Sequence, residues 1–503
     1  MSDDTMTDSK ELTEGFASTG ISMLDAVLGG GLARNRVFLI QGIPGAGKTT
    51  LALQFLLAGA AAGEKTVYLT LSESRKELEA VARAHGWSLE HVLIKEVMPS
   101  LKSLQRESHY TMYHPSEVEL GEVIKSLFAE IEATQPERVV IDALSDLRML
   151  AEHPLRYRRQ VLALKQFFLT QRCTVLLLDD NINGHDEHQV RSVVHGVLLL
   201  DRWTPVYGGE RRRLEITKIR GAKYQGGFHD YLIRRGGIEV FPRLVAAETR
   251  LSQSDGRGHS VRSGVSGLDT LLGDGLNAGT STLFMGPSGV GKSTVASQYV
   301  LASAQRGEPV LVFNFDETTE TYLERSSGLG MDLRPHVKSG VVQMRQIDPA
   351  EVSPGEFANE LRHAVSHHGV RLVIIDSLNG YLHAMPEERS LILHLHELLT
   401  YLAQQDVTTI LILAEHGMVG DTQTSIEASY LADTIILFRF FEAEATIRHA
   451  ISVLKKRRGR HEKRVRELTI GGTGAGTGIS VGAPLRRFRH ILSGTPTSSD
   501  AGE

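Results

Sequence analysis

One cysteine, Cys173, occurs in 503 residues. A lone thiol excludes an intramolecular disulfide and a multi-cysteine zinc centre, and it fits a reducing, cytoplasmic location. Its place ahead of the apolar run at residues 175–178 points to plain burial. Aromatic residues make up only 6% of the chain, and they are nearly missing from the basic run at residues 455–466 and from Arg486, Arg487 and Arg489 beyond it. A stacking platform for single-stranded nucleic acid is therefore not expected there. No apolar run approaches the ~18 residues of a membrane span. The opening MSDDTMTDSKELTEG is polar and acidic, without the apolar core of a secretory leader. Neither sign of charge dominates: a net charge of −5 gives no overall pull towards nucleic acid or an anionic membrane.

Glycine, in contrast, is plentiful at 49 residues, and two of its clusters organise the chain. GIPGAGKT at residues 42–49 and GPSGVGKS at residues 286–293 both fit G-x-x-x-x-G-K-[ST]. Such a loop lets backbone N–H groups approach phosphate oxygens, its lysine reaches the terminal phosphates, and the next hydroxyl ligates Mg²⁺. The expected ATP-binding positions of the first loop are Gly42, Gly45, Gly47, Lys48, Thr49 and Thr50. Those of the second are Gly286, Gly289, Gly291, Lys292, Ser293 and Thr294. Each loop follows an apolar run and leads into residues with helical apolar spacing, the strand, loop and helix that a phosphate site requires.

A glycine-bearing upstream motif precedes each loop, with Gly20 in the first copy and Gly264 in the second. Its offset, 264 − 20 = 244, equals that of the loops, 286 − 42 = 244. Upstream motif and loop were copied together, so the chain is a tandem duplication of a domain rather than a short solenoid repeat. The next apolar runs, 66–71 and 310–315, end in Ser72-Glu73 and Asp316-Glu317. A strand-end carboxylate beside a phosphate loop can orient or deprotonate a nucleophile near the γ-phosphate, which makes Glu73 and Glu317, with Asp316, the candidate catalytic residues.

Runs 138–142 and 371–376 end in Asp142 and Asp376, the Walker B pattern, so the expected Mg²⁺ ligands are Thr49 with Asp142 and Ser293 with Asp376. Their offset falls to 376 − 142 = 234, as though the first copy carries an inserted polar loop near residues 103–114. VLLLDD, ending in Asp179 and Asp180, is a rival Walker B match, but its counterpart in the second half ends in Ala414. Each half closes with a Lys-x-Arg strand, Lys218 and Arg220 or Lys455 and Arg457, whose cations share one face. Such a pair can meet a triphosphate or simply solvate a sheet edge. The cluster His185-Asp186-Glu187-His188 has no counterpart in the second half and reads as a solvated loop rather than a metal site.

Strands alternating with helical runs at 118–131, 157–169 and 391–402 predict an α/β fold with a mostly parallel sheet in each half. The expected organisation is a disordered lead at 1–12, a first domain at 13–248, a polar linker at 249–260, a second domain at 261–495 and a short tail at 496–503.

With upstream motif, loop, strand-end carboxylate, Walker B and Lys-x-Arg all duplicated, the chain resembles the KaiC family, double-domain clock ATPases and autokinases of the RecA/DnaB-like superfamily. The resemblance spans residues 14–496 and is most specific at 432–436, 453–463 and 491–496. It implies two tandem RecA-like P-loop NTPase domains, a homo-hexamer with ATP between subunits, and Lys218, Arg220, Lys455 and Arg457 acting on a neighbour's nucleotide. It also implies autophosphorylation in the second domain, in signalling or timing, with KaiB-like or histidine-kinase partners. The family's acceptor region aligns with Thr424, Ser429 and Tyr430, where the usual Ser-Thr pair has become Ser429-Tyr430; Ser429 and Thr424 are the expected phosphoacceptors. The family's paired glutamates are here Ser72-Glu73 and Asp316-Glu317, which leaves the first site one carboxylate. The extension that engages KaiA is shortened, so KaiA is not an expected partner. Two other readings remain open: an ATPase with no kinase output, and a RadA-like or DnaB-like motor on nucleic acid, which the acidic balance disfavours.

Overall fold

The computed structural model describes residues 15–97, 115–151, 153–180, 187–205, 208–249, 259–383, 388–415, 430–471 and 478–486, with 488–489, 491 and 497–498. The chain divides into two compact units, Met1–Arg243 and Leu244–Glu503. The expected inserted loop at 103–114, residues 251–258 of the linker, and His185 and Asp186 lie outside the described residues. So do Thr424 and Ser429.

Each unit is built on one nine-stranded sheet. In the first, the order runs Val92–Glu96, Thr66–Thr70, Arg138–Asp142, Thr174–Asp180, Val37–Gly42, Gly196–Trp203, Arg211–Ile219, Phe228–Arg234 and Gly237–Phe241. The first six strands are parallel and the last three turn back antiparallel. The second unit repeats that order strand for strand, from Val342–Gln346 through Val310–Asn314, Leu372–Asp376, Thr408–Glu415, Ser281–Pro287 and Thr434–Ala443 to Thr446–Lys456, Arg466–Ile470 and Ile479–Pro484. Helices cover the parallel strands on both faces, which is why Val37–Gly42, Arg138–Asp142 and Leu372–Asp376 are buried at every residue and read as unbroken apolar runs. Two apolar clusters line the faces of each sheet. Each fully buried Leu, Ile or Val contributes roughly 1.5–3 kcal/mol.

The predicted helical runs form within Pro115–Thr134, Pro154–Gln171 and Glu388–Gln404. Of the helices after the phosphate loops, Lys48–Ala61 is rich in Leu and Ala, and Lys292–Gln305 is buried along nearly its whole length, Ser297, Gln298 and Ser303 included, because each is sunk against its sheet. The strand-end carboxylates lead into helices with matching starts. Ser74 caps Arg75–His85 in a capping box with Glu77, and Thr318 caps Thr319–Gly328. Cys173 is buried, which pushes its thiol up to about 12.

The duplicated upstream motif has a structural purpose. Thr19 donates from its backbone N (2.8 Å) and hydroxyl (2.7 Å) to Asp25, and Ser263 does the same to Asp269 (both 2.8 Å). Gly20, next in the chain after Thr19, has φ +78°, and a Cβ there would stand 2.7 Å from the Gln54 carbonyl oxygen of the phosphate-loop helix. The motif is thus a clasp that seats each unit's N-terminal turn against the helix that starts at its phosphate loop. No described helix is long and apolar enough to cross a membrane.

Candidate functional site

In both units the phosphate loop leaves the C-terminal end of a central parallel strand and opens a helix, the place where helix N–H groups converge on an anion. Gly45 and Gly289 share φ +78°, and Gly47 and Gly291 have φ +97° and +99°, so the two loops turn alike at these glycines. A Cβ on Gly47 would stand 2.6 Å from Ile233 Cδ1, and one on Gly291 2.2 Å from Ile470 Cδ1. The strand beyond the sheet's turn therefore backs the loop as closely as glycine permits. Thr50 and Thr294 are buried just inside the helix.

The expected Walker B aspartates stand beside the loops in each unit. Asp142 and Asp376 are buried at strand ends, and each is followed by a cis peptide bond. Burial raises the Asp376 carboxyl to about 6; the Ser293 hydroxyl beside it opposes that shift, and Glu317 adds to it. Burial also depresses Lys292 to about 8, against the pull of Asp376 and Glu415. Lys292 Nζ donates to the loop carbonyls of Gly286 (2.7 Å) and Pro287 (2.6 Å). Asp376 Oδ2 is buried without a hydrogen-bond partner. A hard cation suits that orphaned oxygen and the adjacent Ser293 hydroxyl. These groups line a cavity of about 520 Å³ together with Asp316, Glu317, Arg325, Ser377 and His449.

The surroundings differ in the first unit. Burial raises Asp142, while the Tyr68 hydroxyl, which donates to Asp142 Oδ2, opposes that shift. Lys48 Nζ donates to Gly42 O at 2.7 Å and pairs with Asp180 at 2.9 Å. Asp179, the other half of the rival Walker B match, is buried against Arg148 at 2.6 Å and accepts from Gln41 at 3.3 Å. Asp180 is level with Gly42, as Ala414 is with Gly286, so the second loop has an alanine where the first has the carboxylate that pairs with its lysine; the neighbouring Glu415 pairs with Arg439 instead. Burial, then the charge of Asp142, raises Glu73, whose Oε2 is buried without a partner. In the second unit Asp316 accepts a hydrogen bond from Ser377, and Glu317 pairs with Arg325 at 2.7 Å.

The Lys-x-Arg pairs sit at the other end of the sheet. Lys218 Nζ donates to the carbonyls of Arg191 (2.7 Å) and Val194 (2.9 Å), and Arg220 to Ser192 O (2.6 Å). Lys455 donates to Ala432 O and Arg457 to Tyr430 O, both at 2.8 Å. The backbone N of Arg220 bonds His195, whereas Gly42 is level with Leu200, five residues (200 − 195) further along the strand. That is about 16 Å, beyond the reach of an arginine side chain to its own subunit's loop.

The family model described as "ATPase: KaiC" matches residues 17–245 and again 261–484. This chain belongs to the KaiC family. It is 26% identical over 483 residues to the circadian clock protein KaiC3 of Synechocystis sp. (strain ATCC 27184 / PCC 6803 / Kazusa), covering 95% of this chain and 94% of that one. It is 28% identical over 479 residues to KaiC2 of the same organism, covering 91% and 80%. To the circadian clock oscillator protein KaiC of Picosynechococcus sp. (strain ATCC 27264 / PCC 7002 / PR-6) it is 25% identical over 495 residues, covering 95% and 92%. The two nine-stranded sheets are accordingly tandem RecA-like domains of a KaiC-family ATPase, and that family implies ATP binding.

Several residues beside the two sites carry no motif in a KaiC-family chain read as sequence. Tyr68 falls where the second copy has Val312, and Arg325 where the first has Val81, both at the offset of 244 (312 − 68 and 325 − 81). Arg202, whose guanidinium a Cβ on Gly45 would strike, shares Glu210 with Arg212. The only signal in the sequence was a mismatch between the copies at these positions, and only tertiary contact gives such a mismatch a meaning.

Proposed function

We propose that this chain is a two-site ATPase of the KaiC family that hydrolyses MgATP and phosphorylates itself on Ser429, and less on Thr424, in its second half, with a signalling or timing role. The observation that carries the reading is the second cavity, where Lys292, Ser293, Asp376 and Glu317 converge on one phosphate-binding loop. Mg²⁺, held by Ser293 and Asp376 there and by Thr49 and Asp142 in the first unit, would supply charge neutralisation on the terminal phosphates. Lys292, lying on its loop carbonyls, is placed to exchange them for phosphate oxygens. Glu317 accepts the proton of the acceptor hydroxyl as its oxygen attacks the γ-phosphorus and the bond to the bridging oxygen of ADP breaks.

Lys455 and Arg457, too far from their own loop, supply positive charge to the nucleotide of an adjacent subunit, as Lys218 and Arg220 do in the first ring of sites. This arrangement requires a homo-hexamer. Tyr430 is longer than the threonine of the family pattern, so its oxygen overshoots the trajectory that Ser429 follows. KaiB-like or histidine-kinase partners fit such an output.

Purified protein incubated with γ-labelled ATP, with and without DNA, and then mapped for phosphosites tests the reading. Label on Ser429 without DNA is expected. Hydrolysis without label would leave an ATPase alone, and hydrolysis that requires DNA would favour a nucleic-acid motor. Subunits carrying Lys292→Ala, mixed into hexamers with Ser429→Ala subunits, are expected to gain phosphate; no phosphate on the Lys292→Ala chain would rule out transfer between subunits.

A further inference from the structure

Arg325 stands on the helix Thr319–Gly328 and lines the second cavity with Lys292, Ser293, Glu317, Asp376 and Ser377. One of its terminal nitrogens, Nη2, holds Glu317 Oε1 at 2.7 Å. The other, Nη1, is buried and has no hydrogen-bond partner. The guanidinium is further fixed from below, because its flat face lies 4.8 Å over the ring of Tyr322, whose hydroxyl is bonded to Ser297 at 2.8 Å. A buried cationic N–H without an acceptor costs more than a satisfied one returns, so a site that keeps one is built for an acceptor that arrives later. The nearby carboxylates do not satisfy it: Glu317 takes the other nitrogen, Asp316 is engaged by Ser377, and Asp376 Oδ2 is itself unpaired. An anion that enters the cavity from the loop side can.

We infer that Arg325 reads the terminal phosphate of the nucleotide bound in its own subunit's second site, and ties the position of Glu317 to the presence of that phosphate. The inference rests on the reading of this cavity as an ATP site. With the terminal phosphate absent, the guanidinium keeps Glu317 in an ion pair and weakens it as a base. With the phosphate present, Nη1 gains its acceptor and the charge is shared, so Glu317 is freed to take the proton of the acceptor hydroxyl as the phosphoryl group moves to that oxygen. Arg325 touches phosphate and acts on the proton acceptor through the ion pair. The first unit has Val81 at this position, and Glu73 Oε2 there is buried without a partner.

The test uses the full chain in a Lys48→Ala background, which confines binding to the second loop, at a protein concentration where sizing shows the assembled form. A non-hydrolysable ATP analogue and ADP, each with Mg²⁺, are titrated against the background protein and against Arg325→Met, Arg325→Lys and Glu317→Gln. Arg325→Met is expected to weaken the ATP analogue about 10-fold or more while leaving ADP within about twofold, the loss of one charge-assisted hydrogen bond. Arg325→Lys restores part of the difference, and Glu317→Gln, which releases the guanidinium without removing it, keeps or increases the preference for the ATP analogue. Equal weakening of both nucleotides by Arg325→Met, or loss of the preference in Glu317→Gln, overturns the inference while the ATP site stands. Should Arg325→Met not fold, Glu317→Gln decides alone. Failure of the assembled background protein to bind either nucleotide overturns the ATP site and the inference together.

Discussion

The two sites turn alike at their loop glycines and differ in the charges around them. At the first loop, Lys48 is held by Asp180, Asp142 is held by Tyr68, and Arg202, which shares Glu210 with Arg212, flanks Gly45. At the second, Ala414 replaces Asp180 and Val312 replaces Tyr68; Asp376 has an orphaned oxygen, and Glu317 is held by Arg325. After duplication the loop was held to glycine at Gly47 and Gly291, where φ is +97° and +99° and a Cβ would also meet Ile233 or Ile470. Side chains one layer out were free to change, and there the two copies took different routes to holding their lysines and carboxylates. The first site pairs its lysine and Walker B aspartate with its own side chains and leaves Glu73 Oε2 unpaired; the second leaves Asp376 Oδ2 and Arg325 Nη1 unpaired.

The widest separation between the sites is expected on losing their lysines. Lys292→Ala is expected to abolish phosphorylation, by more than about 100-fold, and to leave assembly largely intact, whereas Lys48→Ala weakens the hexamer. Sizing with and without ATP, together with phosphosite mapping, checks this; equal assembly loss in both variants would break the division of labour.

Asp142→Ala against Asp180→Ala asks which carboxylate serves the first site's metal. In a Lys292→Ala background, Asp142→Ala is expected to cut ATP hydrolysis about 100-fold, and Asp180→Ala to leave it intact and tighten ATP severalfold, because a negative charge beside Lys48 is gone and the loop then matches the second. Loss of hydrolysis in Asp180→Ala would make the rival Walker B match the true one.

A smaller change is expected in stability. Tyr68→Phe removes a hydrogen bond to a buried carboxylate and is expected to cost about 1.5–3 kcal/mol, several degrees in Tm of the first domain. The swap has no counterpart in the second domain, where Val312 makes no such bond. A calorimetric scan showing no shift would mean that water replaces the hydroxyl.

The least of these effects separates the domains by pH. In the second unit, Tyr381 OH bonds His394 Nδ1 at 2.5 Å, and burial depresses that imidazole to about 4, with Glu397 opposing. The unfolded chain binds this proton below its ordinary value of 6.5. Between there and about 4 the unfolded state therefore holds more protons than the folded one, so the stability contributed by neutral His394 is present above that window and is lost as pH falls through it. His394→Gln is expected to flatten the acid limb of the second domain's melting profile by a few degrees while leaving the first domain's unchanged.

From the sequence alone came the duplication, the alternation that makes each half a mostly parallel sheet, the phosphate loops, and the carboxylates at Asp142, Asp376, Glu73 and Glu317. These are local: a loop needs glycines at set spacing, and a buried parallel strand announces itself as an apolar run with its functional residue at the end. The Lys-x-Arg strands were legible as cations on one face, yet their place at the far end of the sheet required the strand register. Tyr68 on Asp142, Asp180 on Lys48 and Arg325 on Glu317 could not be read in advance. Tyr68 and Asp142 are 74 residues apart, joined only because their strands lie side by side. Arg325 is eight residues from Glu317, and its role is set by a ring beneath it and a cavity in front of it. Residue spacing determines what one strand or helix carries; which charge meets which is decided where separate elements pack.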